Sequence, residues 1–167
     1  YYRLPMFSMG GCSDAKLPDQ QAGIESALTL VQAILAGSHL VHDVGYLESG
    51  LTGSLAQVVI CDEVIDWLWT ALAPLEITDE TLALDVIDQV GPDGSFMETD
   101  HTLENFRSRW YPRLFERWDY DGWQDRGGRD LGERAAERVE EILKEHDPEP
   151  LPEDVRRQLS AIAEAAA

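Results

Sequence analysis

Two short apolar runs separated by a helix-length amphipathic segment set the tightest limit on what this chain can fold into. Leu4–Met9 is apolar and runs into Gly10-Gly11, the pattern of a buried strand meeting a turn. Leu40-Val41-His42-Asp43-Val44 is a second such run, closed by Gly45. Between them Asp19, after Pro18, stands at an N-cap position. Ile24, Leu28, Val31 and Leu35 then recur at helical spacing as far as Gly37, a C′ residue. A whole helix between neighbouring strands is a crossover, and crossovers join parallel strands. Ser54 caps a further helix, with Leu55, Val58, Val59, Ile65 and Leu68 expected on its buried side. The order β-α-β-α predicts an α/β chain. Two parallel strands leave faces and edges uncovered, so further strands are expected from upstream sequence or from another chain. The opening Tyr1-Tyr2-Arg3-Leu4-Pro5-Met6-Phe7, with no initiator Met and no basic signal region, fits the same expectation of a fragment.

Beyond Pro74 the pattern turns helical. Thr78-Asp79-Glu80 starts a helix expected to run through Leu82, Val86, Ile87 and Val90 to the stop at Gly91-Pro92. Leu103 to Trp118 is aromatic and Arg-rich, and Asp130 to His146 reads as an exposed amphipathic helix. Pro152 opens a last helix that trails into Ala165-Ala166-Ala167. Its few apolar positions suit clamping a neighbour better than building a core.

Charge narrows the partners. Against 13 Lys and Arg stand 32 Asp and Glu, a net charge of −19, which opposes any electrostatic grip on nucleic acid or an anionic membrane. No run of about 18 apolar residues predicts a membrane span. Lys16 and Lys144 are the only lysines beside 11 arginines. A salt-tolerant surface and an Arg-favouring genome both account for that ratio. Cys12 and Cys61 form no C-x-x-C pair, which predicts free thiols and a reducing cytoplasm.

In parallel α/β folds ligands sit beyond the C-terminal ends of strands, and two loops fall there. The first is Gly10-Gly11-Cys12-Ser13-Asp14-Ala15-Lys16 and the second runs from His42 to Gly50. His42 suits a substrate carboxylate or a titration near neutral pH, Asp43 and Glu48 attract a cation, and the face of Tyr46 suits a quaternary ammonium. Plainer roles stay open: His42 as a core histidine, Asp43 as a turn cap, Asp14 and Lys16 as an ion pair. The Gly-Gly lacks a phosphate-loop context, and His39, His42, His101 and His146 lack metal-site spacing. No G-x-S-x-G marks a nucleophile elbow. Phe106, Trp110, Tyr111, Phe115, Trp118, Tyr120 and Trp123 read as core or interface, with a cavity wall as the alternative.

The runs Gly11-Cys12-Ser13-Asp14-Ala15-Lys16-Leu17-Pro18-Asp19-Gln20-Gln21-Ala22-Gly23 and Leu40-Val41-His42-Asp43-Val44-Gly45-Tyr46-Leu47-Glu48-Ser49-Gly50-Leu51-Thr52 resemble the C-terminal part of the trimethylamine methyltransferase family. So do Val59-Ile60-Cys61-Asp62-Glu63, Thr78-Asp79-Glu80-Thr81-Leu82-Ala83, Val90-Gly91-Pro92-Asp93-Gly94 and His101-Thr102-Leu103. The resemblance covers nearly the whole chain and fades in the last helices. It implies the C-terminal part of a (β/α)8 (TIM) barrel over residues 1–75 and a helical extension over 76–167. It implies a methyl group moved from a methylated amine to the cobalt of a corrinoid (cobalamin) on a separate corrinoid protein, with no covalent nucleophile on the barrel. The archaeal branch carries a pyrrolysine beside the positions of Gly11-Cys12, and this chain has only standard residues there. The resemblance therefore points to the branch acting on glycine betaine and similar compounds. On that reading His42 holds a substrate carboxylate, Tyr46 and Glu48 face the ammonium, Asp43 is a further substrate-binding residue, and Gly11, Cys12, Asp14 and Lys16 form the pocket loop. A homo-oligomer is compatible with it. The competing expectation is a non-catalytic binding or scaffolding fragment that needs a partner polypeptide to complete the barrel.

Overall fold

A computed structural model describes residues 3–166. Tyr1, Tyr2 and Ala167, which the sequence reading placed in the opening run and the last helix, lie outside them. The chain mixes helix and strand. β1 (Phe7–Met9), α1 (Gln20–Leu35), β2 (Leu40–His42) and α2 (Leu55–Ala71) form the crossover expected from the pattern. β1 and β2 pair in parallel, with Phe7 opposite Leu40, Ser8 opposite Val41 and Met9 opposite His42. A small antiparallel pair, β3 (Tyr46–Leu47) and β4 (Thr52–Gly53), follows β2.

Helix ends form where the capping residues stand. Asp19 accepts from the N–H groups of Gln21 and Ala22 at the start of α1, and Ser54 accepts from Gln57 at the start of α2. Gly37, at φ 72°, follows the end of α1. Farther on lie α3 (Asp79–Leu82), α4 (Leu84–Val90), α5 (Asp100–Asn105), α6 (Tyr120–Asp125), α7 (Leu131–Glu145) and α8 (Glu153–Ala166). The helix expected over Thr78–Val90 is two helices, because Ala83 takes a left-handed conformation (φ 48°, ψ 37°) that breaks the ladder.

The buried faces differ from the apolar stripes. α1 buries Ala22, Ser26, Leu30 and Ala33, while Ile24, Leu28 and Leu35 are exposed. α2 buries Gln57, Ile60, Cys61, Glu63 and Val64, whereas Leu55 and Val58 of the expected stripe are exposed. The cause is close approach: small Ala22 and Ser26 admit α2, and Gln57 Nε2 reaches across to donate to Ser26 Oγ at 3.0 Å. Leu30, Cys61 and Val64 make the centre of this core, flanked by Val41, Val44 and Phe115. A second cluster of Ile60, Leu114 and Ala135 joins α2 to α7. α7 is thus anchored through Ala135, more than the exposed helix expected. Every residue described in α8 is exposed as far as Ala165.

The sheet has one covered face. Val41 turns towards α1 and α2, and Phe7, Met9 and Leu40 are exposed on the other side. The "buried strand" expected of Leu4–Met9 is therefore open in this chain, and its regular part starts only at Phe7. Among the described residues no helix is long and apolar enough to cross a membrane.

Candidate functional site

β1 and β2 end at Met9 and His42, and the two loops beyond them run on side by side. Gly10 N–H donates to the His42 carbonyl (3.1 Å), Gly45 N–H to Gly11 (2.9 Å), Ser13 N–H to Tyr46 (3.0 Å) and Glu48 N–H to Ala15 (3.0 Å). Backbone bonds thus set the spacing of the loops whatever side chains they carry. α1 holds the first loop from the side. Thr29 Oγ1 accepts from Gly11 N–H at 3.0 Å, and Glu25 Oε2 accepts from Ser13 Oγ (2.6 Å) and Asp14 N–H (2.9 Å). These bonds to Ser13 and Asp14, together with one from Gln21, hold the Glu25 carboxyl below its usual range, Ser13 having the largest effect.

The second loop carries strain. Asp43, Glu48 and Ser49 have φ of 70°, 52° and 55°, a left-handed backbone that costs side-chain-bearing residues roughly 1–3 kcal/mol each. Ser49 Oγ donates to Asp14 Oδ1 at 2.6 Å and ties the loops together. Between them lies a cavity of about 390 Å³, within the span of roughly 300–1,000 Å³ usual for small-molecule sites.

Of the residues singled out in the sequence, Cys12, Asp14, Asp43 and Tyr46 line this cavity. His42 stands beside it, stacked on Phe7 with centroids 4.3 Å apart, its Nδ1 at 2.8 Å from Asp43 Oδ1. Glu48 faces its own turn, accepting from Thr52 Oγ1 at 3.1 Å. Lys16 Nζ donates to the Asp14 main-chain carbonyl at 2.7 Å, so the Asp14–Lys16 contact is not a carboxylate ion pair. Gly11 contributes backbone: at φ 74°, a Cβ there would sit 3.2 Å from Val44 Cα.

Sequence reasoning did not single out Glu25 or Thr29, nor assign roles to Ser13 and Ser49. The signal was present as Gln21, Glu25 and Thr29, polar at every fourth position of α1 and so on one face aimed at the strand ends. The cavity gathers the carboxylates of Asp14, Glu25 and Asp43, and none has a Lys or Arg ion-pair partner among the described residues. Such a wall favours a cation. Cys12 is its only thiol, and burial, then the charge of Asp43, pushes the Cys12 pKa up. Asp43→Asn removes one of those causes, so Cys12 in the variant should be alkylated by iodoacetamide faster than wild type at pH 8 to 9. Equal rates would show that Asp43 does not govern the thiol.

Fold and site define an α/β chain whose paired strand-end loops flank an acidic cavity. The chain belongs to the family described as trimethylamine methyltransferase (MTTB), whose model matches residues 1–165. It is 39% identical over 164 residues to trimethylamine methyltransferase MttB of Desulfitobacterium hafniense (strain DSM 10664 / DCB-2), covering 98% of this chain and 33% of that one. With the protein of the same name from Methanosarcina barkeri it shares 34% over 166 residues (99% and 34%). With the glycine betaine methyltransferase of Desulfitobacterium hafniense (strain Y51) it shares 33% over 163 residues (96% and 34%). The chain spans about a third of the length of these relatives.

Proposed function

We propose that the cavity receives the ammonium of a small quaternary or tertiary methylamine of the glycine-betaine type, and that the protein is a corrinoid-dependent methyltransferase. The observation that carries this reading is three carboxylates without a Lys or Arg ion-pair partner among the described residues, in a cavity that Tyr46 also lines, in a chain of a methyltransferase family. A quaternary ammonium has no N–H to donate, so it is held by charge and by an aromatic face. His42 donates from Nδ1 to Asp43, and as the imidazolium it also donates from Nε2 to a substrate carboxylate, while Glu48 adds negative charge on the same loop.

Demethylation needs a nucleophile in line with the C–N bond, and burial, then the charge of Asp43, raise the pKa of the cavity's one thiol, which disfavours a thiolate there. That suits an acceptor from outside: a corrinoid (cobalamin) on a partner corrinoid protein, whose reduced cobalt supplies the nucleophile when bound. This chain's residues hold the ammonium, aim one methyl outward and stabilise the cation until a neutral amine leaves. The parallel pair, helices on one face and an open opposite face, suits the last units of a (β/α)8 barrel over residues 1–75, with 76–167 as the helical extension. Cysteine usage suits the cytoplasm.

The open sheet face also supports a second reading, a non-catalytic piece that completes a barrel with a partner polypeptide. Calorimetry with glycine betaine, trimethylamine and tetramethylammonium chloride separates the two. Betaine is expected to bind saturably, Tyr46→Leu to weaken it about tenfold, in line with a cation–π contribution of roughly 1–2 kcal/mol, and His42→Ala to erase the preference for betaine over tetramethylammonium. With reduced cobalamin, NMR should show dimethylglycine forming from betaine. A folded protein that binds none of these amines and demethylates none would leave the second reading.

A further inference from the structure

A second, smaller cavity of about 160 Å³ lies far along the chain from the acidic one, and its chemistry is opposite. Arg126, Arg129 and Arg134 line it with Trp123 and Glu116. In a chain of net charge −19, eight of the 13 Lys and Arg fall between residues 107 and 138. The residues around the cavity are held by bonds that leave guanidinium edges over. Trp123 Nε1 donates to the Arg129 carbonyl at 2.9 Å, and Arg134 Nη1 donates to the same oxygen. Arg134 Nε donates to the Leu114 carbonyl at 3.1 Å, which sets the direction of its guanidinium plane. Arg126 lies over the Trp118 ring, 4.0 Å from its centroid. Arg129 pairs with Glu137, but neither Arg126 nor Arg134 forms an ion pair among the described residues. Glu116 lines the cavity with them: its Oε1 accepts from the N–H groups of Arg117 (2.8 Å) and Trp118 (2.9 Å) in its own turn, and those bonds, Trp118 first, with the charges of Arg134 and Arg126 hold its carboxyl below the usual range.

We infer that this cavity is a site for a small oxyanion, a phosphate or carboxylate group, held by Arg126 and Arg134 against the wall of Trp123. The reason lies in the donors. A guanidinium presents planar forked N–H groups that match the oxygens of carboxylate and phosphate. Here three guanidiniums share one small cavity with a single carboxylate, two of them without an ion pair among the described residues, Arg126 with its whole fork and Arg134 with Nη2 still to place. Stacking of Arg126 on Trp118 and the two carbonyl bonds of Arg134 fix the forks before any ligand arrives, which lowers the ordering cost of binding. The volume admits a single such group and excludes a nucleotide. The site is independent of the amine cavity: it stands on α6, α7 and the loops beside them.

The test is an NMR titration of the purified protein with sodium phosphate, then sodium acetate, each against sodium chloride at matched ionic strength. The arginine Nε–H and tryptophan indole signals are followed. Saturable shifts are expected at Arg126, Arg134 and Trp123 with phosphate, acetate or both, and whichever saturates at the lower concentration names the group. Arg126→Gln should weaken that binding at least tenfold and Arg126→Lys by a smaller factor. Arg126 makes no side-chain hydrogen bond or ion pair among the described residues, so both variants should fold. Shifts that follow ionic strength equally with chloride, or an affinity unchanged in Arg126→Gln, would overturn the assignment.

Discussion

Glu63→Ala is expected to lower stability by about 3–5 kcal/mol, the loss usual when one partner of a buried charged network is removed. Glu63 is 2% exposed on α2. Its Oε1 accepts three consecutive main-chain N–H groups, from Arg113 (2.8 Å), Leu114 (2.9 Å) and Phe115 (3.1 Å), while Oε2 stands 3.8 Å from Arg113 Nε. One carboxylate thus does for residues 113–115 what a helix or sheet ladder would otherwise do. The consequences extend past the loop. Leu114 fills the cluster with Ile60 and Ala135 that seats α7, and its carbonyl accepts from Arg134. Truncation leaves three donors short of an acceptor and loosens the contact between α2 and α7. Glu63→Gln retains an acceptor oxygen without the charge, and is expected to lose only about 1–2 kcal/mol, the difference between charged and neutral hydrogen bonds. Urea unfolding followed by circular dichroism measures both. A Glu63→Ala unfolding free energy within about 1 kcal/mol of wild type would show that water serves those N–H groups as well as the carboxylate does.

That residue also shows where sequence reading stopped. The β-α-β-α order, the parallel pairing, the caps at Asp19 and Ser54 and the stops at Gly37 and Gly91 were legible, because each follows from the local chemistry of one or two residues. The buried faces of α1 and α2 were not. Apolar spacing marks every face a helix would bury, and α1 carries Ile24, Leu28 and Leu35 away from the core built here while small Ala22 and Ser26 face it. A buried Gln57 or Glu63 looks in sequence like any exposed polar residue, since its partners lie 31 to 52 positions away. The break at Ala83 had no glycine to announce it. The aromatic run divides likewise: Trp110 stacks on Trp67 at 5.6 Å and Phe115 joins the core, whereas Tyr111, Trp118 and Tyr120 stay exposed. At the site the two loops were found because glycines follow apolar strands. Glu25 and Thr29 escaped because their bonds cross from a helix to a loop.

The largest effect at the site itself is expected from Gly45→Ala. Gly45 has φ 84°, and a Cβ there would lie 2.2 Å from Val58 Cγ2, 3.1 Å from Val58 N and 3.2 Å from the Ser54 carbonyl oxygen. The left-handed backbone alone costs a side-chain-bearing residue about 1–2 kcal/mol, and overpacking adds roughly 1–3. A loss of about 3 kcal/mol is therefore expected, and it falls on the site. Gly45 N–H donates to the Gly11 carbonyl and its own carbonyl accepts from Ser54 N–H, so moving this residue separates the first loop from the second and both from α2. Val58→Ala offers a check on the cause. It removes the Cγ2 that makes the closest contact, at a cost of its own of about 1 kcal/mol or less for a part-exposed side chain. The double variant should then be more stable than the sum of the two single changes by about 1 kcal/mol or more, as contacting sites are not additive. Rescue stays incomplete, since the approach to Val58 N and the Ser54 carbonyl is backbone and φ is unchanged. Strict additivity in urea unfolding would assign the whole effect to φ and remove Val58 from the account. A fully restored double variant would show that the left-handed conformation costs nothing here.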